Sequence, residues 1–272
     1  MTDAGDPLGA REVRGAVLHV RHMAAGRPGA PLLILVHSLG CDARIWDDVA
    51  ARLRGQADLI LYDLRGHGLS ESGTPPYAMA DHAADLLSLI EAEERPAHVC
   101  GLSIGGMVAM RAALDQPDRI AGLILCDTAA RIGSAARYAA RADAIRAGGM
   151  AAIADEQMER WFTPRFRAAR PEVVRLMRLM LLRQPVDGYL GSVAALRDTD
   201  LEGEVGSIAV PTLCLVGAED ASTPPAAVRA LTTAIPGAAH AEIPGAGHLP
   251  CLEAPERMAG EISRFLAGAG RA

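Results

Sequence analysis

Apolar runs of strand length recur along the chain and are separated by segments with helical spacing. The runs are mostly continuous rather than alternating, which is typical of strands buried on both faces of a parallel sheet. They cover residues 31–37, 57–63, 97–102, 120–127, 210–217 and 238–244. Helices are predicted between them at about 44–54, 80–92, 104–115, 224–235 and 254–267. This alternation predicts an α/β fold with a mostly parallel, doubly wound sheet, and residues 13–22 predict an antiparallel hairpin at its start.

One long interval interrupts this alternation. No strand is predicted over residues 129–206, where Arg, Ala, Met and Leu recur at helical spacing, as in PEVVRLMRLMLLRQ. We interpret residues 129–206 as a helical cap inserted before the strand at 210–217, and residues 1–128 and 207–272 as one core domain. Such an insertion covers the carboxyl ends of the strands, where open α/β sheets bind their ligands.

The stretch GLSIG at residues 101–105 places Ser103 between an apolar strand and a helix. The pattern fits the nucleophile elbow G-x-S-x-G, in which small neighbours allow a strand to turn abruptly into a helix and leave the serine exposed. The alternative is a serine that only caps the helix in a glycine-rich turn. Because the strand, the turn and the helix follow in the required order, the sequence favours a nucleophile.

A serine nucleophile needs a base, and the base needs an acid that orients it. His248 lies in a glycine-rich loop after the last predicted strand, and Asp220 follows the strand at 210–217. Asp127 also ends a strand and is the alternative acid. His67, in a glycine-flanked loop, is interpreted as a turn residue with local hydrogen bonds. We therefore predict Ser103, Asp220 and His248 as a catalytic triad.

An acyl-transfer intermediate also needs two preorganised N–H donors for its oxyanion. The loop VHSLG follows the first parallel strand and offers the backbone N–H of Leu39. The residue after the nucleophile, Ile104, offers the second. Leu39 and Ile104 are therefore the predicted oxyanion hole, although a plain turn after a strand would look the same.

Composition excludes several other classes of chemistry. All 27 basic residues are Arg, because the chain contains no Lys, and it contains no Asn. Schiff-base lysines, Ser-Lys dyads and N-glycosylation are therefore excluded. The net charge of -6 and the lack of a basic stripe argue against nucleic acid. No metal-ligand spacing, dinucleotide motif or phosphate loop is present, so we expect neither a metal nor a cofactor.

The cellular setting is predicted from the cysteines and the hydropathy. The five cysteines are odd in number, widely spaced and mostly in apolar runs, which favours buried thiols in a reducing compartment. No secretory signal and no apolar run long enough to span a membrane are present. We therefore expect a soluble cytoplasmic protein with a small-molecule substrate. The sequence leaves open whether it is a monomer or a homo-oligomer.

These elements together resemble the α/β-hydrolase superfamily over nearly the whole chain. Within it, the segments HSLGCDARIWDDVAARL, YDLRGHGLSES, GLSIGGMVAM, RIAGLILCDTAARIG, MAAIADEQMERWFTP and AALRDTDL are similar to 3-oxoadipate enol-lactonases. The resemblance implies that Ser103 opens a small enol-lactone bearing a carboxylate, in the catabolism of aromatic compounds, through an acyl-enzyme. It also implies a pocket role for Trp161, which is otherwise a cap-core residue.

Two observations qualify the narrower resemblance. Enol-lactonases often carry Asn where His37 stands here. A cap Arg is expected to meet the substrate carboxylate, because guanidinium matches carboxylate in shape, but Arg131 is only one of many candidates. The alternatives are a carboxylesterase or perhydrolase with the same triad, and a binding protein with a vestigial triad.

Overall fold

The computed structural model describes residues 9–269 and contains one eight-stranded sheet. The strands are β1 (Ala10–Val13), β2 (Ala16–Met23), β3 (Leu32–Val36), β4 (Asp58–Tyr62), β5 (Ala97–Leu102), β6 (Ile120–Cys126), β7 (Thr212–Gly217) and β8 (Ala239–Ile243). Their order is β1-β2-β4-β3-β5-β6-β7-β8. Strands β3 to β8 are mutually parallel, whereas β1 and β2 form the antiparallel hairpin that the sequence predicts. The predicted fold is confirmed.

Helices follow the strands and cover both faces of the sheet. In the core they are α1 (Asp47–Leu53), α2 (Met79–Ala92), α3 (Ile104–Asp115), α9 (Pro225–Ala234), α10 (Pro250–Glu253) and α11 (Pro255–Ala269). The helix predicted at 44–54 begins as a 3₁₀ turn over Ala43–Trp46, which Asp42 caps by accepting a hydrogen bond from the Arg44 amide. Strands β3, β5 and β7 are buried along their whole length, as their continuous apolar runs predict.

The segment between β6 and β7 contains five α-helices joined by loops and has no strand, as predicted for the cap. It contains α4 (Ala135–Gly148), α5 (Ala151–Trp161), α6 (Pro164–Ala169), α7 (Pro171–Leu182) and α8 (Val186–Asp198). The backbone of helix α8 packs directly against the backbone of the core at Gly66. A Cβ on Gly188 would lie only 2.4 Å from the Gly66 Cα. Glycine at position 188 therefore allows the cap to sit directly on the loop that follows β4.

The five cysteines are buried free thiols, as the sequence predicts. No helix within residues 9–269 is both long and apolar enough to cross a bilayer. Because β3 to β8 run parallel, their carboxyl ends lie at one edge of the sheet. The loops that carry the predicted site residues all leave from this edge.

Candidate active site

Ser103 occupies a strained turn between β5 and α3. Its φ of 58° and ψ of -116° lie in a region that side-chain-bearing residues rarely adopt. The Ser103 N–H donates to the Cys126 carbonyl at 2.9 Å, and its carbonyl accepts from Thr128 Oγ1 at 2.7 Å. Bonds to the strand end beside it therefore hold the strained backbone in place.

Two glycines make this turn sterically feasible. A Cβ on Gly101 would lie 2.1 Å from the Gly105 carbonyl oxygen, and one on Gly105 would lie 2.4 Å from the Val36 carbonyl oxygen. Both distances are far below any real contact, so neither position accepts a larger residue without displacing backbone. The two glycines of G-x-S-x-G thus let α3 start directly against β5 and β3.

His248 and Asp220 form a hydrogen-bonded pair, with 2.9 Å between His248 Nδ1 and Asp220 Oδ2. Asp220 also accepts bonds from the Thr223 hydroxyl and from the backbone N–H groups of Ser222 and Thr223. Burial alone raises the pKa of Asp220, but the positive charge of His248 and these hydrogen bonds outweigh it and lower the pKa. Asp220 is therefore an ionised acceptor, which directs the His248 Nδ1 proton toward it and leaves Nε2 as the base.

Asp127, the alternative acid, lies beside this pair. The two carboxyl groups and the imidazole are close together: one oxygen of Asp127, one oxygen of Asp220 and one ring nitrogen of His248 all lie within 4.8 Å of one another. Asp127 Oδ1 accepts from the Gly217 N–H at 2.8 Å, whereas Oδ2 is buried without a partner among the described residues. Burial, followed by the charge of Asp220, raises the pKa of Asp127 well above its usual range. The spacing also suits a metal ion, but His248 Nδ1 is already bonded to Asp220.

Ser103 lies at the same sheet edge as the His248–Asp220 pair. The strand order β5-β6-β7-β8 places the loops carrying Ser103, Asp220 and His248 next to one another. No hydrogen bond joins the Ser103 side chain to His248 in this part of the structure. Such bonds are often formed only once substrate is bound, so the arrangement remains compatible with a triad.

The two predicted oxyanion donors follow the neighbouring strands β3 and β5. Leu39 follows β3 in a loop fixed by His37, whose Nδ1 donates to the Ser38 carbonyl at 2.8 Å and whose Nε2 accepts from the Leu64 N–H at 2.9 Å. Ile104 is the first residue of α3, where a backbone N–H has no acceptor within the helix. Both amides are therefore suitable donors for an external oxygen.

The cap contacts the loops that carry His248 and Leu39. The His248 N–H donates to the Trp161 carbonyl at 3.0 Å, while the Trp161 ring is buried at 1% exposure. A Cβ on Gly40 would lie 3.6 Å from that ring and 3.1 Å from the Tyr189 ring. Trp161 thus joins the His248 loop to the loop carrying Leu39, in a position compatible with either a pocket wall or cap core.

Two further side chains reinforce these links between the cap and the core. Glu253 accepts hydrogen bonds from the backbone N–H of Gly247 and from both the N–H and the hydroxyl of Thr163. Gln184 accepts from the Gly68 N–H at 3.0 Å and points its amide nitrogen at the Gly40 and Cys41 carbonyls, both at 3.3 Å.

Sequence reasoning missed a cluster of arginines on the cap. Arg137 and Arg141 project from one face of α4, and Arg160 projects from α5. The Arg160 guanidinium approaches the Ala221 carbonyl at 3.4 Å, and Arg141 Nη1 donates to the Tyr189 hydroxyl at 3.3 Å. All three side chains are half-buried, and none forms an ion pair with any described carboxylate. Their spacing on α4 was a signal, but the convergence with Arg160 depends on tertiary packing.

The three arginines act on one another electrostatically. Burial, followed by the charges of Arg137 and Arg141, lowers the pKa of Arg160, and the weaker influence of Glu156 and Asp220 opposes this shift. Half-buried like charges without a bound counter-ion are unfavourable. The cluster is therefore suited to receiving an anion.

Two other residues considered in the sequence analysis, Arg131 and His67, have contacts that fit structural roles. Arg131 lies in the loop between β6 and α4, where it is exposed and pairs with Asp200 at 3.0 Å. His67 is fully buried, and its Nδ1 approaches the nearby Arg65 carbonyl at 3.3 Å, which fits the predicted turn role.

A strained serine at the carboxyl edge of a parallel sheet, next to a buried His-Asp pair and beneath a helical cap, defines a hydrolase of the α/β class. The sequence profile of the alpha/beta hydrolase family matches residues 33–261. The chain belongs to this family and is a hydrolase of it.

Among individual proteins, the chain is similar to enol-lactonases and to an esterase. The chain is 34% identical over 199 residues to 3-oxoadipate enol-lactonase 2 of Acinetobacter baylyi, covering 73% of this chain and 74% of that one. It superimposes on the enol-lactonase from Burkholderia xenovorans LB400 with a TM-score of 0.91 at 34% identity, covering 95% and 99% of the two chains. A thermophilic esterase from Thermogutta terrifontis, with malate bound, gives a TM-score of 0.88 at 31% identity, covering 96% and 97%.

Proposed function

We propose that this hydrolase opens a small enol-lactone bearing a carboxylate, converting 3-oxoadipate enol-lactone to 3-oxoadipate. The observation that carries the proposal is the cluster of Arg137, Arg141 and Arg160. The Arg160 end of the cluster meets the loop of Asp220, and the Arg141 end meets Tyr189, which packs beside Gly40. A substrate carboxylate held there would neutralise the arginines while its lactone carbonyl reaches Ser103.

The proposed mechanism uses the residues at the sheet edge. His248 Nε2 takes the Ser103 hydroxyl proton as the oxygen attacks the lactone carbonyl. The N–H groups of Leu39 and Ile104 hold the oxyanion that develops. Asp220, bonded to Nδ1, stabilises the imidazolium that forms.

Ring opening then breaks the bond between the acyl carbon and the enol oxygen. His248 gives the proton it took from Ser103 to the departing enol oxygen, and the enol then tautomerises to the ketone. An enol is a better leaving group than an alkoxide. The neutral His248 next takes a proton from a water molecule as the water attacks the acyl-enzyme, and it returns that proton to the Ser103 oxygen as the acid is released. The reaction requires no cofactor.

The test compares freshly generated 3-oxoadipate enol-lactone with p-nitrophenyl acetate, a neutral ester, with Ser103→Ala as the control for contaminating activity. We expect kcat/KM for the lactone to exceed that for the ester by about a hundredfold or more, as one or two charge-assisted hydrogen bonds to the carboxylate would provide. Both activities should disappear in the Ser103→Ala variant.

Arg141→Gln tests carboxylate recognition directly. It should lower kcat/KM for the lactone by about 10- to 100-fold, since it removes a charged hydrogen-bond donor. Turnover of p-nitrophenyl acetate should change little, because that ester carries no second carboxylate. Arg146→Gln is the matched control, because Arg146 lies on the same helix, is exposed and pairs with Asp143. An equal loss for both substrates would contradict the assignment.

The resemblance to the Thermogutta esterase supports a second candidate, a carboxylesterase or perhydrolase with the same triad. An enzyme of this kind would hydrolyse the neutral ester as fast as the lactone or faster. Arg141→Gln would then change the turnover of both substrates by the same factor. Tight ligand binding without turnover, unaffected by Ser103→Ala, would instead indicate a binding protein.

A further inference from the structure

Two carboxyl groups face one imidazole at the buried end of the site. Asp127 follows β6 and Asp220 follows β7, so neighbouring parallel strands deliver both side chains to the same edge. Atoms of both carboxyl groups lie within 4.8 Å of a His248 nitrogen and of each other. Asp127 is fully buried and Asp220 is 4% exposed, so water does not separate their charges effectively.

Two adjacent buried carboxyl groups do not both ionise readily, and one of them holds a proton. The hydrogen-bond partners identify which one. Asp220 accepts from four donors, namely His248 Nδ1, the Thr223 hydroxyl and two backbone N–H groups. Asp127 accepts only from the Gly217 N–H, and its Oδ2 has no donor within the described chain.

The backbone of Asp127 supports a specific role for its side chain. Its φ of 46° lies in the left-handed region, which is unfavourable for a residue other than glycine. The Thr223 hydroxyl lies 2.7 Å from the Asp127 carbonyl and 2.6 Å from Asp220 Oδ2, so its single proton is shared between these two acceptors. The carboxyl group of Asp127 lies beside the Asp220–His248 pair in this backbone conformation, which Asp adopts more readily than most residues with a side chain.

We propose that Asp127 is a neutral carboxylic acid and acts as a reserve acid, able to replace Asp220 in orienting His248. The inference rests on the proposed triad, but not on the identity of the lactone. In the intact enzyme Asp127 is a positioning residue, since its uncharged form leaves Asp220 as the single negative charge against the imidazole.

When Asp220 is removed, the charge that suppresses ionisation of Asp127 is also removed. Asp127 then releases its proton to solvent, and its carboxylate lies within 4.8 Å of a ring nitrogen of His248. The imidazolium formed during catalysis keeps a negative partner. A proton is the only species exchanged, so the step requires no co-reactant.

The test is a double-mutant cycle built from Asp220→Ala and Asp127→Asn, with p-nitrophenyl acetate as substrate. Asparagine keeps a carbonyl acceptor for the Gly217 N–H but cannot ionise. We expect Asp127→Asn to lower kcat/KM by about thirtyfold or more when Asp220 is absent, and by less than about fivefold when Asp220 is present. A purely structural role predicts the same factor in both backgrounds, and that result would overturn the proposal.

Thermal unfolding of all four proteins shows whether a loss of activity reflects unfolding. Infrared difference spectroscopy of wild type minus Asp127→Asn provides a readout that needs neither turnover nor a triad. The proposal expects the carbonyl stretch of a protonated carboxylic acid at neutral pH, and its absence would overturn the proposal. If the wild-type enzyme hydrolyses neither ester nor lactone, the proposed function fails, while the infrared band still tests the proton on Asp127.

Discussion

Gln184 offers the most direct test of how the cap shapes the catalytic edge. Its side chain is 5% exposed and lies at the end of the cap helix α7. It accepts from the Gly68 N–H and donates to the Gly40 and Cys41 carbonyls, next to the proposed oxyanion donor Leu39. One amide therefore satisfies three backbone groups in two core loops.

Gln184→Leu keeps the approximate volume of the side chain and removes all three hydrogen bonds. An unsatisfied buried backbone group costs about 1–3 kcal/mol. The two carbonyl contacts are long and share one nitrogen, so each belongs at the low end of that range. We expect a loss of about 3 kcal/mol in the free energy of unfolding, which corresponds to a fall of about 6–12 °C in Tm for a protein of this size.

The same substitution loosens the loop that carries Leu39. Removing an oxyanion donor outright lowers kcat by about 10²–10³. Since Leu39 itself is retained, we expect a smaller fall of about tenfold in kcat, with KM changed much less. Affinity for a boronic acid that mimics the tetrahedral intermediate should fall in parallel with kcat.

Urea or thermal unfolding and steady-state hydrolysis measure the two effects separately. Arg183→Gln is the matched control, because Arg183 is the exposed neighbour and forms no ion pair within the described residues. It should change stability by less than about 0.5 kcal/mol. The reasoning is refuted if Gln184→Leu behaves like Arg183→Gln, or if KM rises while kcat and boronic acid affinity stay constant.

Two stability predictions concern the buried polar groups beneath the cap. Burial, followed by the nearby His67, lowers the pKa of His82 to about 3, so its contribution to stability is complete above about pH 6.5 and is lost as the pH falls toward 3. The free energy of unfolding of the wild type should fall as the pH is lowered from 6 to 4, and His82→Gln should make this fall shallower by about 1.4 kcal/mol per pH unit. Urea unfolding at several pH values measures the fall. The same dependence on pH in both proteins would contradict the prediction. Asp85→Ala leaves the buried Arg65 without its bidentate partner and should cost about 3–5 kcal/mol, whereas Asp48→Ala, at an exposed position, should cost less than about 0.5. Equal melting temperatures for these two variants would show that the Arg65 pair contributes little.

Local patterns made the fold predictable from the sequence. The apolar runs at 31–37, 97–102 and 210–217 became strands β3, β5 and β7, which are buried along their whole length because helices cover both faces of the sheet there. The helix predicted at 104–115 forms with those bounds, because the elbow glycines fix where it begins. Such features depend on a few neighbouring residues, so a single sequence contains the information.

The relation between the two acids needed the structure. Both follow strands, and the sequence predicts Asp220 as the partner of His248 and Asp127 as the alternative, but it does not show where Asp127 lies when Asp220 is bonded. The 2.9 Å bond goes to Asp220, and Asp127 lies beside it rather than elsewhere. The sequence posed the two as exclusive alternatives, whereas neighbouring parallel strands bring both to one site.

The roles of the arginine cluster and of Gln184 could not be predicted from the sequence, because both depend on contacts between distant parts of the chain. Of 27 arginines, the informative ones are those that packing leaves without a carboxylate, and pairing is a tertiary property. Gln184 likewise has no local signature, since its three partners are more than a hundred residues away in the chain. Their roles emerge only when the cap is placed on the core.

The position of the cap on the core connects the proposed substrate-binding arginines to the loops of the proposed catalytic residues. The cap segment that supplies Arg160 continues into Trp161, whose carbonyl holds the His248 N–H, and into Thr163, whose hydroxyl donates to Glu253. At its other end the cap supplies Gln184, which holds the loop of Leu39. A change in the cap that shifts Trp161 or Gln184 should therefore also move the loop of the proposed base His248 or that of the proposed oxyanion donor Leu39. Altered specificity in this architecture should come with altered kcat unless the contacts of Trp161 and Gln184 are kept.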